Sequence, residues 1–169
     1  RATYSATHVI RVNAYKFYPA ALLQTKAFPF HLAKNKTYDL SFFQSDEAHG
    51  QAVMFGGLTG TSTYLNDTWV WDGNQWNRKT VSNAPPARAG HAMAYDAARG
   101  QVVLFGGADL NRGILFNDTW VWDGSQWTQK SVSNPPSGRT WNAMAYDAAR
   151  GQVVLFGGFN GGYTSYDDT

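Results

Sequence analysis

The sequence predicts an all-β chain built from repeated four-stranded antiparallel sheets. Three observations point there. Residues 92–107 read AMAYDAARGQVVLFGG and residues 143–158 read the same sixteen residues; residues 66–73 and 117–124 both read NDTWVWDG. Both offsets are 51 residues, and a period of that length marks an architecture built from stacked supersecondary units. The apolar runs are short, rich in β-branched and aromatic residues, and bounded by Gly and Asp, as strands are. Finally, 15% of the chain is aromatic and 15% charged. The low charge content belongs to a chain that buries both faces of its sheets rather than to a disordered one.

One unit lies at about 84–134. Its first strand is expected over 90–95. Asp96 to Gly100 then forms a tight turn, in which the Asp carboxylate bonds the backbone ahead and Gly100 takes a left-handed conformation. The second strand, 101–105, contains Val102, Val103, Leu104 and Phe105. Apolar residues without alternation require cover on both faces. Gly106 and Gly107 close it, and a variable loop leads to the third strand at 119–122. Trp120 and Trp122 share a face and Val121 takes the other. Asp123–Gly124 is a two-residue turn that needs positive φ, and the fourth strand is expected over 125–132. A weaker copy begins upstream, where 46–57 read DEAHGQAVMFGG. The units are therefore a degenerate one at about 40–83, a complete one at 84–134 and a truncated one at 135–169. Residues 1–39 carry no copy and form an unassigned N-terminal segment.

A sheet apolar on both faces must be sandwiched between neighbours, as the blades of a propeller are. A double Gly after four apolar residues, a Trp strand between turns and about fifty residues per unit together resemble the kelch repeat. The residues that carry the resemblance are Gly56–Gly57, Gly106–Gly107 and Gly157–Gly158, with Trp76 and Trp127 in the last strands and Arg88 and Arg139 opening units. It spans about 40–169. The resemblance implies a partial β-propeller with fewer than three blades, in the superfamily of the galactose oxidase central domain. In detail the WVWDG and YDAARGQVVLFGG segments are similar to tandem arrays of bacterial secreted or envelope proteins, which implies an extracellular or envelope location. A chain that starts at Arg1 leaves room for a targeting segment upstream.

Function classes narrow by composition. A net charge of +2 without a basic run argues against nucleic acid. No apolar stretch approaches a membrane span. There is no Cys, hence no thiolate nucleophile, no Cys-bound metal and no Tyr–Cys crosslink of the kind that kelch-type copper oxidases use. His8, His31, His49 and His91 follow no ligand spacing, so no metal or cofactor is assigned. Asp67, Asp118 and Asp168 each precede Thr at a strand start, where bonding to local backbone is expected. Asp72 and Asp123 read as turn residues. Asn35, Asn66 and Asn117 open N-x-Thr triplets, two of which follow from the repeat itself. No catalytic residue is nominated.

The loops between second and third strands, 58–65, 108–116 and 159–166, differ while the frame around them repeats. Loops on a rigid scaffold are where binding residues concentrate. In kelch proteins these loops and the segment opening the first strand line one mouth of the propeller. The resemblance therefore nominates Arg88, Arg139, Tyr64, Arg112, Phe159 and Tyr163 as ligand contacts, with the two arginines open to an alternative role joining blade to blade. The expected function is a non-catalytic scaffold that binds protein or glycan. The competing reading is a piece of a kelch-propeller oxidase or sugar isomerase whose catalytic groups lie elsewhere. A third sheet without its Trp strand leaves Val153, Val154, Leu155 and Phe156 uncovered, so self-association is expected as well.

Overall fold

A computed structural model describes residues 43–46, 51–60, 62–161 and 165–168. The expectations for 1–39 and for Tyr163 lie outside the described residues. Eleven strands follow one another with no helix among the described residues: β1 (Phe43–Asp46), β2 (Gln51–Leu58), β3 (Tyr64–Trp71), β4 (Trp76–Lys79), β5 (Ala89–Asp96), β6 (Gln101–Asp109), β7 (Ile114–Leu115), β8 (Thr119–Trp122), β9 (Trp127–Lys130), β10 (Ala143–Asp147) and β11 (Gln152–Phe156). They make three antiparallel sheets: β1-β2-β3-β4, then β5-β6-β8-β9 with β7 paired to β6, then β10-β11. Within each sheet sequential strands are neighbours, as in a meander, except that β6 pairs with both β7 and β8.

Most expected turns form for the expected reasons. The Asp72 Oδ1 accepts from the backbone N–H of Asn74 and Gln75, and the Asp123 Oδ1 from those of Ser125 and Gln126. Gly73 and Gly124 sit at φ 98° and 99°, the positive φ expected, but the connections are four residues long, 72–75 and 123–126, instead of two-residue turns, with the Asp72 and Asp123 N–H groups donating to the Gln75 and Gln126 carbonyls. Two further elements differ from expectation. The fourth strand holds only at Trp127–Lys130, because the Asp123 turn extends through Gln126. The second strand runs on past the double Gly to Asp109 and pairs there with β7, which makes the middle sheet five-stranded.

Packing between sheets is the core. One cluster joins Val53, Phe55 and Val70 of the first blade to Met93, Tyr95, Val102, Leu104, Trp120, Trp122 and Trp127 of the second. Each such side chain contributes about 1.5–3 kcal/mol by leaving water. The Trp127 ring meets the Phe55 ring edge-on at 5.2 Å, and its Nε1–H donates to the Thr68 Oγ1 at 2.9 Å. The last strand of one blade is thereby bonded to the third strand of the blade before it.

The other face of the second blade packs against β10 and β11. Here the identical segments provide an internal control. Ala94 pairs with Val103 and Ala92 with Phe105; in the third blade Ala145 pairs with Val154 and Ala143 with Phe156. Phe105 is 3% exposed and Phe156 is 53% exposed. Sequence and the pairing with the preceding strand are the same, so the difference comes from what the second blade has and the third lacks among the described residues: the strands β8 and β9, and a following sheet.

Candidate functional site

The arginines that open the units sit at the joints between blades. The backbone N–H of Arg88 donates to the carbonyl of Leu65 at 3.0 Å, and its carbonyl accepts from Gly57 at 2.9 Å, both in the first blade. Its side chain turns into the second blade. Nη1 and Nη2 donate to Oδ1 and Oδ2 of Asp118 at 2.6 and 2.8 Å, Nη1 also to the Gly106 carbonyl, and Nε to the Pro86 carbonyl. The guanidinium lies 3.8 Å over the Phe116 ring. Arg139 repeats this one blade on, bonded to Asp168, Gly157 and Ser137 and stacked on Tyr166, with its backbone tied to Phe116 and Gly107. Both side chains are buried, at 0% and 1%. Their nomination as ligand contacts is therefore corrected: their side-chain donors are engaged within the blade each one opens, while their backbones bond the blade before, which leaves no guanidinium surface for a ligand.

The same geometry explains the repeated Asp and the double Gly. Asp118 bonds Arg88 and the Trp120 Nε1–H, the latter at 2.7 Å. Burial alone would raise its pKa, but the hydrogen bonds and charge of Arg88 and the indole N–H outweigh it, and the carboxyl is held below its ordinary range. Asp67 likewise takes the Trp69 Nε1–H at 2.7 Å. A Cβ on Gly106 would meet the Arg139 carbonyl at 2.6 Å, and one on Gly107 the Ala89 carbonyl at 2.9 Å. Only Gly lets the next blade's Arg segment cross there. His91 is buried beside this joint; desolvation, and then the Arg88 charge, push its pKa well below the ordinary value, so the ring is neutral.

The nominated loop residues stand at the end of the blades where the first strand begins. Residues 109–114 form a small hairpin closed by Ala108–Leu115 and Asp109–Ile114 pairing. It holds Leu110, Arg112 and Ile114 outward. The Arg112 Nε lies 3.6 Å from the Asp109 Oδ2 beneath it. The Asn111 Nδ2 donates to the Ser62 carbonyl at 2.7 Å and so joins this loop to the loop before it. Tyr64 opens β3, half-buried. Phe159 exchanges backbone hydrogen bonds with Thr140, at 3.0 and 2.8 Å, and remains exposed. Among the described residues seven large hydrophobics are exposed, and four of them, Leu110, Ile114, Trp141 and Phe159, gather at this end. Among the described residues no three acidic or His side chains converge to hold a metal.

Residues 43–169 match the KLHDC2/KLHL20/DRC7 Kelch-repeats domain. The chain belongs to the kelch-repeat family. Its kelch units are similar to an F-box/kelch-repeat protein of Arabidopsis thaliana, 34% identical over 69% of this chain and 27% of that protein. They are also similar to dynein regulatory complex subunit 7 of Chlamydomonas reinhardtii, 34% identical over 63% of this chain and 10% of that protein. A third relative is the tRNA wybutosine-synthesizing protein 4 of Emericella nidulans, 30% identical over 70% of this chain and 12% of that protein. The chain thus spans about a quarter or less of the length of these relatives. All three are eukaryotic, and the bacterial array of the detailed resemblance has no counterpart among them.

Aligning the complete kelch unit with the truncated one also exposes a residue that the sequence reading passed over. Arg88-Ala89-Gly90-His91 corresponds to Arg139-Thr140-Trp141-Asn142. Gly90 has φ 65° and Trp141 has φ 59°. A Trp therefore occupies a backbone conformation that its counterpart fills with Gly. The signal was legible in the three-residue mismatch just before AMAYD, Ala89-Gly90-His91 against Thr140-Trp141-Asn142.

Proposed function

We propose that this chain is part of a protein-binding scaffold, and that it binds through the blade end carrying residues 58–65, 108–116, 141 and 159–161. The observation that carries this reading is the contrast between frame and loops. The frame repeats to the residue and is locked by the Arg88–Asp118 and Arg139–Asp168 clamps. The end it supports differs from unit to unit and exposes Leu110, Ile114, Trp141 and Phe159. Surfaces of this kind, apolar with aromatic residues at the centre, are the ones protein partners use. A relative named as a subunit of the dynein regulatory complex agrees with assembly as the role. Glycan binding is the weaker reading, since apolar Leu110 and Ile114 dominate the hairpin.

The test is photo-crosslinking from a benzophenone amino acid at Leu110, with Thr128 on the exposed outer strand as control. Discrete protein adducts from position 110 and none from 128 support the reading. Adducts of equal yield from both positions, or none from either, refute it. We further propose that the face bearing Val154 and Phe156 drives self-association of the 169-residue chain, since exposed apolar sheet faces with an open edge strand invite pairing. A concentration-independent monomer in sedimentation velocity would refute that.

A further inference from the structure

We propose that the Asn142 carboxamide holds buried water between the second and third blades, so that this joint is bridged by solvent where the joint before it is filled by a ring. The site is independent of the reading of the blade end as a binding surface.

Two observations carry it. First, Asn142 is 7% exposed, and among the described residues neither its Oδ1 nor its Nδ2 has a hydrogen-bond partner. A buried donor or acceptor left unbonded costs its full desolvation. Buried polar groups of native proteins are therefore bonded either to protein or to ordered water. Second, the repeat supplies a control for the space. His91 holds the same place one unit earlier. The His91 Cβ packs on Gly107 and the Asn142 Cβ on Gly158, so the two side chains leave the frame at matching points. The His91 imidazole reaches the first blade and meets the Phe55 ring edge-on, with centroids 5.6 Å apart. A carboxamide is smaller than an imidazole, and the frame around the two repeats to the residue. Asn142 therefore leaves open the space that the rest of a ring would take, about the room of one water.

A buried water also needs polar partners. The Asn142 Oδ1 lies over Gly106 of the second blade, 3.2 Å from where a Cβ would stand, and the Arg139 carbonyl lies 2.6 Å from the same point. The two oxygens flank one spot, close enough together for a single water to donate to both. Gly106, at φ 74°, has no side chain to fill that spot. The Arg139 carbonyl already accepts from the Gly107 N–H at 2.8 Å, and its second lone pair remains for the water. The Nδ2 group has two N–H donors, for which a water oxygen is an acceptor. A carboxamide and a backbone carbonyl carry no net charge, and the nearby Arg139 guanidinium is paired with Asp168. The lining therefore selects water over an ion.

The experiment determines the crystal structure of the full 169-residue chain, and counts long-lived waters in the chain and in Asn142→Leu by relaxation dispersion of the water oxygen. A water is expected within about 3.2 Å of an Asn142 amide atom and of the Arg139 carbonyl. Asn142→Leu keeps nearly the same shape without a polar atom, and the count of long-lived waters is expected to fall by at least one. Asn142→His installs the ring of the preceding unit and is expected to displace the same water, which keeps the test open if the Leu variant does not fold. An amide that bonds protein directly, a site without water in the crystal, or a count unchanged in both variants overturns the proposal. So does a water at Asn142 that exchanges as fast as surface hydration, because the site would then be open to bulk solvent.

Discussion

Phe105→Ala and Phe156→Ala remove the same side chain from the same sixteen-residue sequence in two packing environments. Phe105 is 3% exposed and packed between the second and third blades; Phe156 is 53% exposed on the open face of the third. Burying a Phe is worth about 1.5–3 kcal/mol, and half of that is already absent at Phe156. The cavity term, which brings Phe→Ala in a core to about 3–5 kcal/mol, applies only at Phe105, because the open face leaves no enclosed void. Phe105→Ala is therefore expected to cost about 3–5 kcal/mol and Phe156→Ala about 0.7–1.5 kcal/mol. Urea titration of both variants measures this, with unchanged slopes as the check that only stability has moved. Equal costs would refute the reasoning, since they would mean that the Phe156 face is covered in solution. A Phe156 cost that grows with protein concentration would trace the cover to self-association.

Trp120→Ala is expected to cost about 3–5 kcal/mol, and a loss below about 1 kcal/mol in chemical denaturation would show that its face is open. Arg88→Ala leaves Asp118 partly buried without its counterion and is expected to cost about 3–5 kcal/mol; a double-mutant cycle with Asp118→Asn that shows no coupling would refute the clamp. His91, with Arg88 beside it, is neutral when folded and has its pKa lowered well below 6.5. The unfolded chain binds more protons below that value, so stability is full above about pH 6.5 and falls as pH drops beneath it. His91→Asn, which installs the residue of the next unit, should flatten that slope, and an unchanged slope between pH 6.5 and 5 would refute the assignment. Asp118 has its pKa lowered, so its contribution is present above about pH 3.8 and is lost as pH falls through its folded value.

The repeated frame was legible because its causes are local or periodic. Gly73 and Gly124 mark the Asp-Gly turns, and the unbroken run Val102–Phe105 demands a sheet on either side. The order of strands follows from these, since each turn is too short for anything but an antiparallel neighbour. What escaped were contacts between distant positions. Arg88 and Asp118 are thirty residues apart, and nothing in either residue says that the Arg88 backbone bonds the first blade while its guanidinium is held within the second; an opening Arg reads equally well as a surface contact. The β7 pairing was hidden because Ile114–Leu115 sits inside a variable loop with no counterpart to align. Trp141 was missed for the opposite reason. The comparison that reveals it, against Gly90, was available, but its meaning depends on a φ angle that sequence does not print.

The most direct measurement is hydrogen–deuterium exchange on the 169-residue chain with and without a saturating amount of the protein partner identified by crosslinking from position 110. If the blade end is the binding surface, protection should appear in 58–65, 108–116 and 140–142, while the outer strands Trp76–Lys79 and Trp127–Lys130 stay unchanged. Protection confined to the open edge strand Gln152–Phe156 would contradict the account, because it would place the partner on an exposed sheet edge and leave the variable loops without a role.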